Sequence, residues 1–203
     1  MRVGVFGGTF DPVHMGHLIL AEQCREQARL DELLFVPAAA PPHKRDQSLT
    51  PFEKRVEMLA LAIAGNPAFR IDELEREREG PSYTVDTLAA LRARRPHDEL
   101  CFLIGSDSLH DFSLWYQPQR ILELAELLVV ARADWPLFTP EVFRGTMKLG
   151  DDFALRYQVI DAPLITLSSR DIRHRLREGR TVRYMIPRAV EAYIADKGLY
   201  RED

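Results

Sequence analysis

The sequence predicts an α/β protein: a doubly wound, mostly parallel sheet with helices on both faces. Three observations carry this reading. Short apolar runs of strand length alternate with longer stretches of helical spacing, the order that parallel strands and crossover helices require. The connections between them are short. Every segment with chemical promise follows a strand, where ligands of such sheets bind.

Taken in order, residues 3–6 form the first strand through Val3, Val5 and Phe6. Gly7 and Gly8 then permit a tight turn and close backbone approach, and residues 16–29 carry helical apolar spacing. Residues 33–36 are a second strand. A helix over 51–64 follows, with Thr50 as its cap, Pro51 at the first helical position and Glu53 as the acid of the first turn. Residues 69–74 read as a strand, 83–94 as a helix after Ser82, and 100–104 and 127–131 as further strands. In residues 133–155 the run Trp135-Pro136-Leu137-Phe138-Thr139-Pro140 breaks the pattern, which predicts a surface excursion with a short helix near 141–148. Residues 157–160 are the last strand, 169–177 a helix ended by Gly179, and 187–197 a helix ended by Gly198. No repeat, low-complexity tract or linker interrupts the order. One domain over residues 1–203 is expected, its C-terminal helices (about 169–198) packed onto the sheet.

A chain of 203 residues can bury a full core without disulfides or metal staples. Its 27 basic and 31 acidic residues, a net charge of −4, argue against a surface built to neutralise nucleic acid, so a small-molecule partner is expected. Cys24 and Cys101 lie far apart inside apolar patterns, which reads as two buried thiols in a reducing compartment. The first residues enter a strand directly, and no apolar run is long enough for a membrane span, so a soluble, cytoplasmic protein is expected. Homo-oligomer formation stays open.

The chemistry concentrates in a few places. Residues 4–17 deliver His14 and His17 to a helix start, where unpaired N–H groups and the dipole favour an anion and imidazoles can add hydrogen bonds or charge. Ser168 and Asp171 have capping-box spacing, an ordinary helix start, yet Arg170, Arg173 and Arg175 crowd the same turn, which suits a polyphosphate. Pro41-Pro42-His43-Lys44 places a cation pair after the second strand, or simply a solvated loop. Ser82-Tyr83-Thr84 opens a helix at which a flat ring bearing a carboxylate could sit, the alternative being a capped helix with a packed tyrosine. After Gly105-Ser106-Asp107 come Trp115 and Tyr116; an indole face can stack on a flat ring and a carboxylate can accept from hydroxyls. Arg132 ends a strand on the same edge.

The run Gly-Gly-Thr-Phe-Asp-Pro-Val-His-Met-Gly-His, with Ser168-Ser169-Arg170-Asp171-Ile172-Arg173, resembles the nucleotidyltransferase superfamily that carries HxGH and SSTxIR-type signatures. Within it the chain is most similar to the bacterial nicotinate-mononucleotide adenylyltransferases, through matching segments at residues 41–44, 82–88, 105–115 and 132. The resemblance implies a Rossmann-like nucleotidyltransferase fold and adenylyl transfer from ATP to nicotinate mononucleotide, with Mg2+ accompanying ATP and no dedicated protein metal site. It implies catalytic roles for His14, His17 and Arg173. It places Gly8, Thr9, Phe10, Gly105, Asp107, Arg132, Ser168 and Ser169 with those three on ATP, and His43, Lys44, Tyr83, Thr84, Trp115 and Tyr116 on the mononucleotide. Three positions depart from the family pattern. Arg170 stands where threonine is usual, Ser106 where alanine is, and Ala133-Asp134 where proline and glycine are.

The rivals are an adenylyltransferase for nicotinamide mononucleotide or phosphopantetheine, a cytidylyltransferase, a class I aminoacyl-tRNA synthetase and a catalytically silent nucleotide sensor. The Ser-Tyr-Thr segment and Trp115 argue against the phosphopantetheine and cytidylyl enzymes, the chain length against the synthetase, and the intact His14, His17 and Arg173 against the sensor. A dinucleotide-dependent oxidoreductase is disfavoured because Gly4-Val5-Phe6-Gly7-Gly8 lacks the G-x-G-x-x-G spacing.

Overall fold

The structure is a computed structural model that describes residues 1–41, 49–132 and 135–201. The strands β1 (Arg2–Gly8), β2 (Glu32–Pro37), β3 (Phe69–Ile71), β4 (Glu99–Gly105), β5 (Glu126–Val130) and β6 (Tyr157–Ile160) form one six-stranded sheet in the order β3-β2-β1-β4-β5-β6. Every neighbouring pair is parallel. The chain moves outward from β1 to β3, then returns to the other side of β1 with β4, so the connections leaving β1 and β4 diverge. A crevice at the carboxyl ends of those two strands is the consequence.

The helices are α1 (Met15–Gln27), α2 (Phe52–Ile63), α3 (Thr84–Arg94), α4 (Ser106–His110), α5 (Pro118–Leu124), α6 (Pro140–Thr146), α7 (Ser169–Arg177) and α8 (Arg188–Asp196). Strand residues alternate between two cores because successive side chains point to opposite faces. Leu33, Phe35, Cys101, Leu103, Leu128 and Val130 meet Leu20, Cys24, Met58, Leu59, Ile172, Val190 and Ile194 on one face. Leu34, Val36, Phe102, Ile104, Leu127 and Val129 meet Leu88, Leu91, Leu109, Ile121 and Phe143 on the other. Each such buried aliphatic or aromatic side chain contributes about 1.5–3 kcal/mol relative to exposure. Cys24 and Cys101 are buried free thiols, and burial pushes their pKa values up to about 12 and about 11.

Several sequence expectations are corrected. Gly7 and Gly8 do not form the turn: they are the last residues of β1, in register with Val36 and Pro37. The turn comes at residues 9–14, with Phe10 in the left-handed region (φ 48°) and a cis Asp11–Pro12 bond. Thr50 does not cap α2, whose N-cap is Pro51; Thr50 gives its N–H to Asp11 Oδ2 (3.2 Å) and its carbonyl to Arg55 instead. The strand expected over 69–74 stops at Ile71, because the Asp72 carboxylate accepts from Leu74 N–H (3.0 Å) and bends the chain into a 3-10 turn at Leu74–Glu77. Within the stretch expected to be a surface excursion, Phe143 is fully buried and Met147 nearly so. Helix α5 was not anticipated; it starts from Gln117 in the left-handed region with Pro118 next, a cue short enough to pass for loop.

Arg55 is the least expected member of the interior, at 1% exposure. Its guanidinium donates to the carbonyls of Thr50 (3.0 Å), Thr9 (2.8 Å) and Ala38 (2.9 Å), tying the turn after β1 to the segment after β2. Burial lowers its pKa, and the nearby Asp11 carboxylate opposes that effect. Truncating Arg55 orphans three part-buried carbonyls at once. Arg55→Met should therefore reduce unfolding free energy by about 3 kcal/mol or more, read from denaturant midpoints, and Arg55→Lys should recover little because one ammonium cannot span three divergent acceptors.

Candidate active site

The crevice between the carboxyl ends of β1 and β4 opens into a cleft of ≈ 770 Å³. Its walls gather Gly8, Thr9, His14 and His17 from the first motif, Gly105, Asp107 and Trp115 from β4 onward, Arg132 after β5, and Ser168, Ser169 and Arg173 from α7. The first and last of these segments lie toward opposite ends of the sequence.

His14 is the N-cap of α1 and is 3% exposed. Its backbone N–H donates to His17 Nδ1 (3.2 Å), and the two rings stack with centroids 3.6 Å apart. That bond makes His17 Nδ1 an acceptor and places the neutral ring's proton on Nε2. Burial, then the positive charge of Arg132, lower the His14 pKa to about 4. His14 at neutral pH is thus an uncharged donor and not a cation. The His14 side chain faces the His17 backbone N–H, the other half of a capping box with the bond from His14 N–H to His17 Nδ1. The ring packs tightly over Gly16, where a Cβ would come within 3.0 Å of Nδ1.

Helix α7 brings the second cluster. Ser168 Oγ caps the helix through Asp171 N–H (3.1 Å) and donates to the Asp171 carboxylate (2.7 Å), so the capping reading is correct and the residue lines the cleft as well. Ser169 Oγ donates to the Pro12 carbonyl (2.9 Å), and Arg173 Nη1 donates to the Asp11 carbonyl (2.5 Å). Arg170, in place of the family's threonine, also lines the cleft. Arg175 does not: its Nε donates to the Thr181 carbonyl and closes the turn beyond α7.

On the β4–β5 side Ser106 Oγ accepts from Arg132 N–H and donates to the Trp135 carbonyl, both at 2.9 Å. The Arg132 guanidinium sits 3.9 Å from Asp107 Oδ1, and its Nε is buried with no hydrogen-bond partner. A Cβ on Gly105 would collide with Asp107 Oδ1 and press on Arg132 Nε at 3.2 Å. Only glycine lets this pair approach.

The remaining expected residues are placed differently. Phe10 does not line the cleft: its ring is buried beneath it, against Phe6, Phe35 and His17, where it supports His17. Trp115 packs on Phe102 and Phe112, one face of the cleft wall. Tyr83 and Tyr116 lie outside that wall, with ring centroids 4.8 Å apart, and Thr84 is the first residue of α3 beside them. His43 and Lys44 lie outside the described residues. Among the described residues no three His, Cys, Asp or Glu side chains gather as metal ligands. Asp11, Arg55 and Trp135 escaped the sequence reading. Arg55 had a signal, since it shares the i, i+3, i+4 apolar stripe of Met58 and Leu59.

The chain is similar to known proteins in sequence and in fold. The cytidylyltransferase-like family model matches residues 5–175. The chain is 47% identical over 200 residues to a protein of Thermomicrobium roseum named "Probable nicotinate-nucleotide adenylyltransferase", across 98% of this chain and 92% of that one. A protein of the same name from Thermus thermophilus is 46% identical over 201 residues, across 99% and 100%. Among solved structures, Plasmodium falciparum nicotinic acid mononucleotide adenylyltransferase complexed with NaAD superposes with a TM-score of 0.81 at 20% identity, covering 98% of this chain and 97% of that one, a likeness of fold. The chain belongs to the cytidylyltransferase-like nucleotidyltransferases and, within them, to the nicotinate-nucleotide adenylyltransferase family.

Two expectations follow from the geometry. The folded protein binds a proton on His14 only near pH 4, whereas the unfolded chain binds it near 6.5. Stability from this group is therefore whole above pH 6.5 and lost as pH falls toward 4. The difference in unfolding free energy between wild type and His14→Gln should change across that window, and an NMR titration should place His14 near 4. Gly105→Ala should weaken ATP binding by about tenfold, the scale of one charge-assisted contact, by displacing Asp107 and Arg132. Calorimetry of ATP binding measures it.

Proposed function

We propose that this chain transfers the adenylyl group of ATP to nicotinate mononucleotide, giving nicotinate adenine dinucleotide and pyrophosphate, a step of NAD biosynthesis. The observation that carries the proposal is the single cleft in which His14, His17, Arg132 and the N-terminus of α7 face one another. The names of the relatives point to the same reaction.

A phosphate oxygen of the mononucleotide attacks the α-phosphorus of ATP and pyrophosphate leaves. The attacking oxygen is already anionic, so the protein need supply no nucleophile; its work is alignment and stabilisation of charge growing on the phosphoryl oxygens. Neutral His14 serves as a hydrogen-bond donor, and Arg132 and Arg173 supply the positive charge. Ser168 and Ser169 at the start of α7 add donors and the favourable end of the helix dipole. Asp107 accepts from ribose hydroxyls. Magnesium arrives with ATP, held chiefly by phosphates and water. The pyridine carboxylate meets backbone N–H groups near Thr84 and Tyr116, with Trp115 supplying an aromatic face; His43 and Lys44 take its phosphate. Such a pocket favours the acid over the neutral amide. No described helix is long and apolar enough to cross a membrane.

Pyrophosphate release with ATP, magnesium and either nicotinate mononucleotide, nicotinamide mononucleotide or phosphopantetheine is the test. Turnover is expected with the first and far weaker turnover with the others; comparable efficiency with the amide overturns the pocket assignment, and silence with all three overturns the enzyme reading. His17→Ala should lose on the order of a hundredfold in turnover while circular dichroism stays unchanged.

A further inference from the structure

The turn that presents His14 is held from two sides. From the cleft side, Ser169 donates to the Pro12 carbonyl and Arg173 to the Asp11 carbonyl. From the opposite side, Arg55 donates to the Thr9 carbonyl, and the buried Asp11 carboxylate accepts from Thr50 N–H (3.2 Å) and from the Tyr200 hydroxyl (2.6 Å). Tyr200 lies 189 residues from Asp11 in sequence and reaches it from the segment after α8. Its backbone is in the left-handed region (φ 62°), uncommon for a bulky residue, and Gly198 two residues earlier shares that region. The segment is bent so as to deliver this one hydroxyl, while Leu199 and Tyr200 themselves pack against the first core.

We propose that Tyr200 is a positioning residue for the reaction, acting through Asp11 to fix the turn that carries His14. The inference rests on the adenylyl-transfer reading above. Its logic is a division of labour. A triphosphate that engages Ser169 and Arg173 competes for the two donors that hold the turn from the cleft side. Asp11, Arg55 and Tyr200 do not line the cleft and stay committed to the turn whatever the ligand does. Tyr200 therefore matters most when the cleft is loaded, and its removal affects the chemical step more than the affinity for substrate. The Asp11 carboxylate, deprived of the hydroxyl, keeps the Thr50 N–H and can rotate about it, and the following two residues carry that motion to His14.

Tyr200→Phe removes the hydroxyl and keeps the ring. The expected result is a kcat lower by about tenfold with KM for both substrates within about twofold, since sub-ångström misplacement of a catalytic group is felt in turnover. Tyr193→Phe is the control: it deletes a tyrosine hydroxyl that bonds Glu57, so the same terminal region is loosened from α2 without touching the turn. Its kcat should match wild type. If Tyr200→Phe keeps full kcat, or if Tyr193→Phe loses as much, the hydroxyl serves only to dock the terminal region and the proposal falls. A Tyr200→Phe protein that does not fold is replaced by Asp11→Asn, whose amide keeps one acceptor oxygen but turns the other into a donor, so it cannot accept from both Thr50 N–H and the Tyr200 hydroxyl. The same kcat-selective loss supports the proposal and unchanged kcat overturns it. Wild-type protein inactive with nicotinate mononucleotide and ATP removes the reaction itself, an outcome separate from either variant result.

Discussion

Two hydrogen bonds from α7, Ser169 to the Pro12 carbonyl and Arg173 to the Asp11 carbonyl, join residues 157 and 162 positions apart and close the site. The rest of the structure is arranged around making them possible. The sheet order places β1 at its centre, so the turn that follows it emerges at the crevice. Ile172, fully buried, seats α7 on the first core at the height where its first turn meets that turn. Arg55 supplies a donor on the buried side of the turn, where the Thr9 carbonyl lies outside the ladder of β1.

The electrostatics of the cleft follow from its depth. Arginine alone keeps its charge under such burial, whereas imidazole gives up its proton; His14, stacked on His17 and facing Arg132, is neutral for that reason. The long Arg132–Asp107 separation leaves the guanidinium without a close anionic partner at that carboxylate. The cleft thus keeps cationic character while its histidines act through hydrogen bonds.

Much of this was legible in the sequence because it depends on local rules. The strands are short apolar runs, the helices carry periodic spacing, and α7 was bounded correctly from Ser168, Asp171 and Gly179 alone. His14, His17, Ser168, Ser169 and Arg173 of the two signature motifs were also legible, and the structure brings them to one cleft. What was not legible depends on partners distant in sequence. Phe10 sits in a motif of polar and small residues, yet its ring belongs to the core because the left-handed turn folds it under Gly8. Thr50 has the chemistry of a cap, but Asp11 and Arg55 claim its backbone. Phe143 looked exposed in a Pro-rich stretch, yet it covers the second core because β6 draws that stretch back across the sheet, with the Tyr157 hydroxyl on the Phe138 carbonyl (2.8 Å).

The sheet order also bears on synthesis. As the chain emerges from a ribosome, residues 1–71 can form β1, β2 and β3, but one edge of β1 stays bare until β4 is made, leaving apolar strand open to wrong pairing during that interval. The first motif is complete by residue 17, yet its turn acquires Ser169 and Arg173 only after α7 has been translated. A nascent chain therefore carries the histidines long before it can hold them, which makes a complete site a late event.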